Sequence, residues 1–201
     1  MLEAATTLVV DHAGSSGAEV SHVRGALIVS SLQTLRELKL YERYLTQLPS
    51  GMHESVLYAL ASSWVPREAA MAHYAACDAM SLSEPELGAI GERVCNRIMG
   101  TFMSTLLRGA RPSGANVAAI ALPAYPRIYD RVMQGGRVLI HLTGPKDATI
   151  ETRGIAMFRY RYFRLAHHAL VRGAGLMMTK AFYVRQIKAS DIATTLALSW
   201  V

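Results

Sequence analysis

Cysteine is scarce in this sequence of 201 residues, which contains only Cys77 and Cys95. Two cysteines are too few for a scaffold stabilised by several disulfides. Without a second pair of cysteines, they also do not give the ligand spacing of a zinc site. The sequence also lacks an apolar run of the roughly 18–20 residues that a membrane span needs. The basic and apolar segments of a secretory signal are absent from its start. These absences predict a reducing, cytoplasmic location.

Recognisable catalytic motifs are missing as well. No serine lies in a G-x-S-x-G turn, and neither H-E-x-x-H nor a Walker loop occurs. The C-terminal region offers only Asp147, Glu151 and Asp191 as carboxylates for acid–base chemistry. The sequence therefore favours a binding protein over an enzyme.

Charge is distributed unevenly along the chain. The formal net charge is +6, and residues 151–201 carry all of it, with eight Arg and Lys residues against two acidic residues. An excess of this kind favours an anionic partner such as nucleic acid, phospholipid or a phosphorylated ligand. Because no RNP pattern and no long basic run occurs, nucleic acid is not expected.

The composition is apolar, with 51% hydrophobic and 18% charged residues. This excess of apolar residues has two interpretations that the sequence leaves open. It can form a helix-rich core with many alanines, or it can line a ligand cavity or the interface of a homodimer.

The C-terminal third has the alternation of β-strands. In the last run, the residues predicted to share one face are Ile192, Thr194, Leu196, Leu198 and Trp200. Two hairpins are predicted, formed by residues 137–143 with 148–153 and by residues 182–187 with 192–200. Between them, residues 161–178 have the apolar periodicity of a helix that can cross the sheet. The predicted result is a four-stranded antiparallel sheet, to which Leu8 to Val10 could add an edge strand.

The preceding residues have helical periodicity and form a bundle that covers the sheet. One start signal is specific, because Ser83 followed by Pro85 and Glu86 forms a capping box. The predicted helices are 26–38, 41–48, 52–62, 67–79, 83–107 and 116–122. We therefore predict a flexible lead-in (1–24) and a single α+β domain (25–201). The domain has a helical part (25–135) followed by a hairpin-helix-hairpin part (136–201).

Histidine is the first candidate for a functional group. His73 and Cys77 lie four residues apart, which places them on one helical face. They could help to bind a metal with ligands from elsewhere, or they could simply pack in the core. His167 and His168 are adjacent and point about 100° apart on a helix, so they cannot both bind one metal.

The densest group of candidate binding residues is Tyr160-Arg161-Tyr162-Phe163-Arg164. The guanidinium groups of Arg161 and Arg164 suit a carboxylate or phosphate. The alternative is a helix start with its aromatic rings in the core and its arginines in water. The predicted ligand-binding residues are Tyr160, Arg161, Tyr162, Arg164, His168 and Arg172, with His73 and Cys77 as metal candidates.

The helical part contains several short segments that together carry a family resemblance. They are residues 24–30, 35–37, 44–49, 64–66, 74–78, 82–86 and 90–91. These patterns resemble an uncharacterised paralogous family of myxobacterial proteins of about this length. The resemblance spans most of residues 24–201. Because that family has no established activity, it implies a source and no function.

The order of helices, hairpin, helix and hairpin is similar to the haem nitric-oxide/oxygen-binding (H-NOX) domains, and to the vinyl-reductase-type and TRAPP Bet-type ligand-binding domains. Tyr160 and Arg164 match the ends of the H-NOX Tyr-x-Ser-x-Arg motif, which holds the haem propionates, but Tyr162 replaces the serine. The H-NOX iron ligand is a histidine shortly before the first hairpin, and residues 109–136 contain none. The resemblance therefore implies this fold with an apolar pocket and no cofactor.

The favoured hypothesis is a non-enzymatic sensor or adaptor that holds a small apolar, amphipathic or anionic ligand, or a protein partner, between helices and sheet. Tyr160 and Arg164 would lie at the pocket mouth, and Arg161 and Arg172 would contact an anionic group. One alternative is a haem-based gas sensor with a displaced ligand such as His73, His141 or His168. Another is a homodimeric interaction module without a ligand.

Overall fold

A computed structural model of the chain describes residues 7–14, 17–109 and 122–201. Its centre is a five-stranded antiparallel sheet in the order β1-β5-β6-β8-β7, and a second, three-stranded sheet has the order β3-β2-β4. The strands are β1 Thr7–Ala13, β2 His22–Arg24, β3 Trp64–Pro66, β4 Met133–Gln134, β5 Arg137–Gly144, β6 Asp147–Arg153, β7 Phe182–Ala189 and β8 Ala193–Trp200.

The main sheet buries one face, because its strands alternate between apolar and polar side chains. On β8, Thr194, Leu196, Leu198 and Trp200 are all buried. Ile150 pairs with Leu196 across the β6–β8 ladder. The alternation that the sequence predicted for β8 therefore determines which of its side chains face the core.

Helices cover the buried face. Their bounds are α1 Gly25–Glu37, α2 Tyr41–Leu45, α3 His53–Leu57, α4 Arg67–Ala79, α5 Glu84–Gly109, α6 Tyr125–Val132 and α7 Arg161–Leu176. Short 3₁₀ turns occur at Ser50–Met52, Leu122–Ala124 and Ala156–Arg159. No helix in the described ranges is long and apolar enough to cross a membrane.

Two long helices, α5 and α7, pack against each other. The start of α5 is fixed by the capping box, in which the backbone N–H and the hydroxyl of Ser83 both donate to Glu86 Oε2, at 2.8 and 2.6 Å. A Cβ at Gly91 would lie 2.6 Å from the Cβ of Ala169. Glycine at this position therefore allows the close approach of α5 to α7.

The crossover helix α7 is anchored at its start by α4. Asp78 Oδ1 accepts the backbone N–H of Tyr162 at 2.7 Å. The guanidinium of Arg164 donates to the carbonyls of Phe158 and Arg159 at 2.6 and 3.0 Å, which ties the turn before α7 to its first residues. The N-terminal end of α7 is thus held between the helical layer and the sheet.

Several sequence predictions need correction. The main sheet has five strands, because Thr7–Ala13 pairs with β5 along its length. Within the predicted lead-in 1–24, the described residues 7–14 and 17–24 are not simply flexible, since Val20 and Val23 are fully buried. The third helix is only His53–Leu57, and the crossover helix ends at Leu176. The predicted helix 116–122 falls almost entirely outside the described residues.

Candidate functional site

A cavity lies between the helical layer and the buried face of the main sheet. Its volume is about 140 Å³. Leu27 and Ser31 come from α1, and Ile90 and Val94 from α5. The other walls are supplied by α6 and β4 (Tyr125, Ile128, Tyr129, Val132, Met133), by α7, and by the sheet (Ile150, Thr152, Phe182, Leu198). The lining is almost entirely apolar.

One side of α7 forms the longest wall of this cavity. Its lining residues recur at the three- and four-residue spacing of a helical face: Tyr162, Phe163, Ala166, His167, Leu170, Val171, Ala174 and Gly175. Ala166, Ala174 and Gly175 are small and leave room beside the larger rings. His167 is the one imidazole in this series.

Thr152 presents the first of four polar groups that have no hydrogen bond in the described structure. Thr152 is 1% exposed, and its Oγ1 is buried without a hydrogen-bond partner in the described ranges. It shares the inward face of β6 with Ala148 and Ile150. A buried hydroxyl without a partner is destabilising, so Thr152 lowers the stability of the described structure.

His167 and Tyr125 present the second and third of these groups. Neither side chain has a hydrogen-bond partner among the residues that the structure describes, and both line the cavity. Burial lowers the pKa of His167 to about 4, with a smaller contribution from the neighbouring His168. Burial raises the pKa of Tyr125 to about 12. At neutral pH both side chains are therefore uncharged.

Tyr74 on α4 presents the fourth group. Its hydroxyl has no hydrogen bond within the described ranges, and burial raises its pKa well above the ordinary value. Its ring meets those of His73 and Phe163 edge-on, at 4.9 and 4.8 Å between centroids. We call Thr152, His167, Tyr125 and Tyr74 the unpaired groups. They present a hydroxyl, a neutral imidazole and two neutral phenols.

A second buried polar cluster lies next to the cavity and is fully paired. His73 Nδ1 shares a hydrogen bond of 2.8 Å with the Tyr44 hydroxyl, and His73 Nε2 shares one of 3.0 Å with Ser31 Oγ. Ser31 Oγ also lies 2.9 Å from the hydroxyl of Tyr162. Burial lowers the pKa of His73 to about 3. We call these four residues the paired network.

The paired network bears on the metal hypothesis. Cys77 Sγ lies 3.7 Å from His73 Nε2, so the two residues are close, as their spacing predicted. Both ring nitrogens of His73 have protein partners, however, and burial raises the pKa of the Cys77 thiol. Within the described ranges, no group of three or more His, Cys, Asp or Glu residues could hold a metal ion. The geometry gives His73 and Cys77 a structural role.

The predicted basic residues lie outside the cavity lining and have protein partners. Arg161 donates to the carbonyl of Leu82 at 2.8 Å and lies 3.5 Å from Glu84 Oε1. Arg172 donates to Glu92 Oε1 at 3.1 Å.

His168 and Tyr160 complete the predicted set. His168 Nε2 donates to the carbonyl of Val184 at 3.0 Å, so its ring binds the sheet. Tyr160 is the residue that precedes α7 and is half-buried. Of the six predicted ligand-binding residues, only Tyr162 lines the cavity, and its hydroxyl is engaged by Ser31.

Sequence reasoning missed all four unpaired groups. A signal existed for His167, because it lies four residues after Phe163 and three before Leu170, on the apolar side of the predicted helix. Thr152 likewise continues the alternation of strand β6. Tyr125 lies between two prolines, at positions 123 and 126, and these interrupt any helical or strand periodicity that could have identified it.

Comparison with protein-family models finds no match for this chain. Comparison with the curated proteins also finds none. Solved structures do match. The Fe(II) unliganded H-NOX protein from K. algicida has 12% sequence identity and a TM-score of 0.62, covering 89% of this chain and 96% of that one.

Two further H-NOX structures match over similar lengths. A point mutant of T. tengcongensis H-NOX has 10% identity and a TM-score of 0.56, covering 88% of this chain and 97% of that one. An oxygen-binding H-NOX domain related to soluble guanylate cyclases, solved as its oxygen complex, has 11% identity and a TM-score of 0.53, covering 88% and 94%.

These comparisons correct the prediction that the domain has no cofactor. Matching structures include proteins solved in studies of haem redox potential under porphyrin distortion and of haem distortion in the H-NOX family. The prediction rested on the missing histidine in residues 109–136, yet at least two of the matching structures with this fold come from studies of haem. Identities of 9–12% establish the fold alone. The chain has the fold of H-NOX domains, as the order of its helices and hairpins predicted.

Proposed function

We propose that this protein is a non-enzymatic sensor domain that binds haem in the cavity between α7 and the main sheet. The observation that carries the proposal is the set of unpaired groups in an otherwise apolar lining. A neutral imidazole and a phenol are both side chains that bind haem iron in proteins. The fold of haem-binding H-NOX structures supports the same choice of ligand.

The chemistry of the lining fits haem. Apolar walls exclude water from a flat, largely apolar ring, and they stabilise it by burial. His167 on α7, Tyr125 on α6 and Tyr74 on α4 are the residues that could hold the iron, and Thr152 could hydrogen-bond to a polar group of the ligand. Bound haem iron would supply reversible binding of a small gas molecule.

The volume of the cavity requires that its walls separate. Pockets for drug-sized ligands have volumes of about 300–1,000 Å³, and this cavity has about 140 Å³. The helix α6 contacts the short strands β2 and β4, whereas the contact between α5 and α7 is much more extensive. We therefore expect haem to enter by displacement of α6 and not by separation of α5 from α7.

The cavity volume favours a second candidate function. A small apolar or amphipathic molecule would fill about 140 Å³ without movement of α6, and the domain would then sense that molecule. This candidate shares the same lining and the same unpaired groups. The homodimer and a protein partner remain predictions, as does an anionic group bound by the basic side chains of α7.

Titration of the purified protein with haemin tests the proposal. We expect saturable binding of one haem per chain, with a Soret band that differs from that of free haemin. The variant Ala174→Phe adds a ring to the cavity wall and should abolish binding. Ala61→Phe adds the same ring in an exposed turn and serves as the matched control.

Circular dichroism and urea unfolding would establish that both variants are folded. If the parent protein gave no Soret shift and no saturation, the haem proposal would be wrong. If Ala174→Phe bound as tightly as Ala61→Phe, haem would bind elsewhere on the protein.

A further inference from the structure

We propose that His167 is the side chain that would bind the haem iron. This inference rests on the proposed function and goes further, because it assigns the iron to α7. The sequence has no histidine in residues 109–136, so a protein that binds haem through imidazole must take it from another element.

The positions of the seven histidines single out His167. The structure describes all seven, and His167 is the only one that lines the cavity. His73 uses both ring nitrogens within the paired network. His168 donates to the carbonyl of Val184 on the sheet.

The remaining histidines do not line the cavity. His12 is paired with Asp130 at 2.8 Å. His22 is in the short strand β2, and His53 begins α3. His141 follows Ile140 on β5 and therefore lies on the opposite face of the sheet from this buried residue.

The surroundings of His167 hold its ring in place and leave its nitrogens open. The ring of Phe158 meets it edge-on at 5.2 Å between centroids, and that of Phe163 is stacked at 6.3 Å. Neither contact uses a ring nitrogen. A ring positioned by packing on a regular helix, with neither nitrogen bonded to a described residue, is suited to bind a metal.

The protonation state of His167 is also suitable. Only the neutral imidazole binds metal, and burial keeps this ring neutral over the whole physiological range. The ring therefore needs no proton to be removed by a partner before it binds iron.

Other potential ligands in the cavity are weaker candidates. Tyr129 donates its hydroxyl to the carbonyl of Gly135 at 2.9 Å. Met133 and Met178 also line the cavity, and a thioether serves haem mainly as a second axial ligand beside histidine.

The two unpaired phenols are the direct rivals of His167. Burial raises the pKa of Tyr125 to about 12 and raises that of Tyr74 as well. Each would have to lose its proton to bind iron as a tyrosinate. The ring of His167 binds in its neutral form and is held in place by the rings of Phe158 and Phe163, and this combination favours His167.

The test compares His167→Gly with His168→Gly in the haem-loaded protein. The two substitutions have the same cost in helix propensity and remove adjacent imidazoles, of which only one lines the cavity. We expect His167→Gly to weaken haem binding by about tenfold or more, since loss of a group that merely orients a metal ligand already costs about 10–100-fold. We expect His168→Gly to bind haem like the parent protein.

Spectroscopy distinguishes the loss of an iron ligand from the unfolding of the variant. The parent ferrous protein should show an iron–histidine stretching band in the resonance Raman spectrum, and His167→Gly should lack it. Added imidazole should enter the vacated space and restore the absorption spectrum of the parent. If His167→Gly proves unstable, His167→Leu fills the space with an apolar side chain and should show the same spectral loss.

Each outcome separates the inference from the proposed function. A parent protein that binds haem, with an unchanged iron–histidine band in His167→Gly, overturns the inference and leaves the function standing. A tyrosinate charge-transfer band that disappears in Tyr125→Phe or Tyr74→Phe overturns it in favour of a phenol. A parent protein that binds no haem overturns both.

Discussion

Two histidines in the interior of this protein have opposite surroundings. His73 has a hydroxyl on each ring nitrogen, at 2.8 and 3.0 Å, whereas His167 has aromatic contacts and no hydrogen bond in the described structure. Burial keeps both rings neutral. One ring belongs to a closed network, and the other lines a cavity.

The difference indicates which polar group stabilises the fold and which is available for a ligand. A buried polar group is destabilising unless it is hydrogen-bonded, so a fold without a ligand would satisfy each such group internally. The paired network does so. The unpaired groups have no such bond within the described ranges, and all of them line one cavity. Among them, only Thr152 Oγ1 is a fully buried polar atom without a partner in the described structure, whereas the side chains of His167 and Tyr125 are half-buried and line the cavity, where a ligand could bond to them.

The largest expected effect comes from breaking the paired network. His73→Ala would leave the hydroxyls of Tyr44 and Ser31 without this partner and open a cavity in the core. We expect the free energy of unfolding to fall by about 3–5 kcal/mol, measured by urea denaturation. His168→Ala, which removes one hydrogen bond, should cost about 1 kcal/mol. Equal losses for the two variants would contradict the structural role of His73.

A pH titration of stability is the next largest test. The folded-state pKa of His167, about 4, is below the ordinary value of 6.5. The unfolded chain therefore binds the proton first as the pH falls. The free energy of unfolding should be unaffected by His167 above pH 6.5 and should decrease between pH 6.5 and 4, by about 1.4 kcal/mol per pH unit.

The variant His167→Leu isolates this contribution. Its stability should depend less steeply on pH than that of the parent over the same window, while the contribution of His73 persists. Identical slopes in the two proteins would mean that His167 is accessible to water and readily protonated.

A smaller loss is expected from Tyr44→Phe. This change removes one hydroxyl, keeps the ring, and leaves His73 Nδ1 buried without its partner. The expected loss is about 2 kcal/mol in the free energy of unfolding. A variant as stable as the parent would show that water readily replaces the tyrosine hydroxyl.

The smallest effect has the opposite sign. Thr152→Val replaces an unpartnered hydroxyl with a methyl group of similar size, so we expect the ligand-free protein to gain about 1 kcal/mol of stability. Thermal or urea unfolding would measure it. A destabilised variant would mean that the hydroxyl already has a partner, such as a bound water.

Much of the fold could be predicted because its signals are local. The alternation in β8 and the capping box at Ser83 depend on residues close together in sequence. The full length of the fifth strand could not be predicted in this way, since the pairing of β1 with β5 joins residues far apart in the chain.

The candidate site was harder to predict because it depends on tertiary neighbours. The guanidinium groups of Arg161 and Arg172 are engaged by Leu82, Glu84 and Glu92, and none of these partners can be identified from a periodic pattern. The presence of a cavity followed from the resemblance, but which polar groups in it remain unpaired depends on how α4, α6, α7 and β6 pack together.

The most direct test of the central claim, that the unpaired groups of the cavity serve a haem ligand, is native mass spectrometry with an absorption spectrum of the same sample. The protein should be purified from cells supplied with a haem precursor. We predict a Soret band and an added mass of one haem per chain that is lost on denaturation. A colourless protein with no added mass, or with the mass of a different small molecule, would contradict the claim.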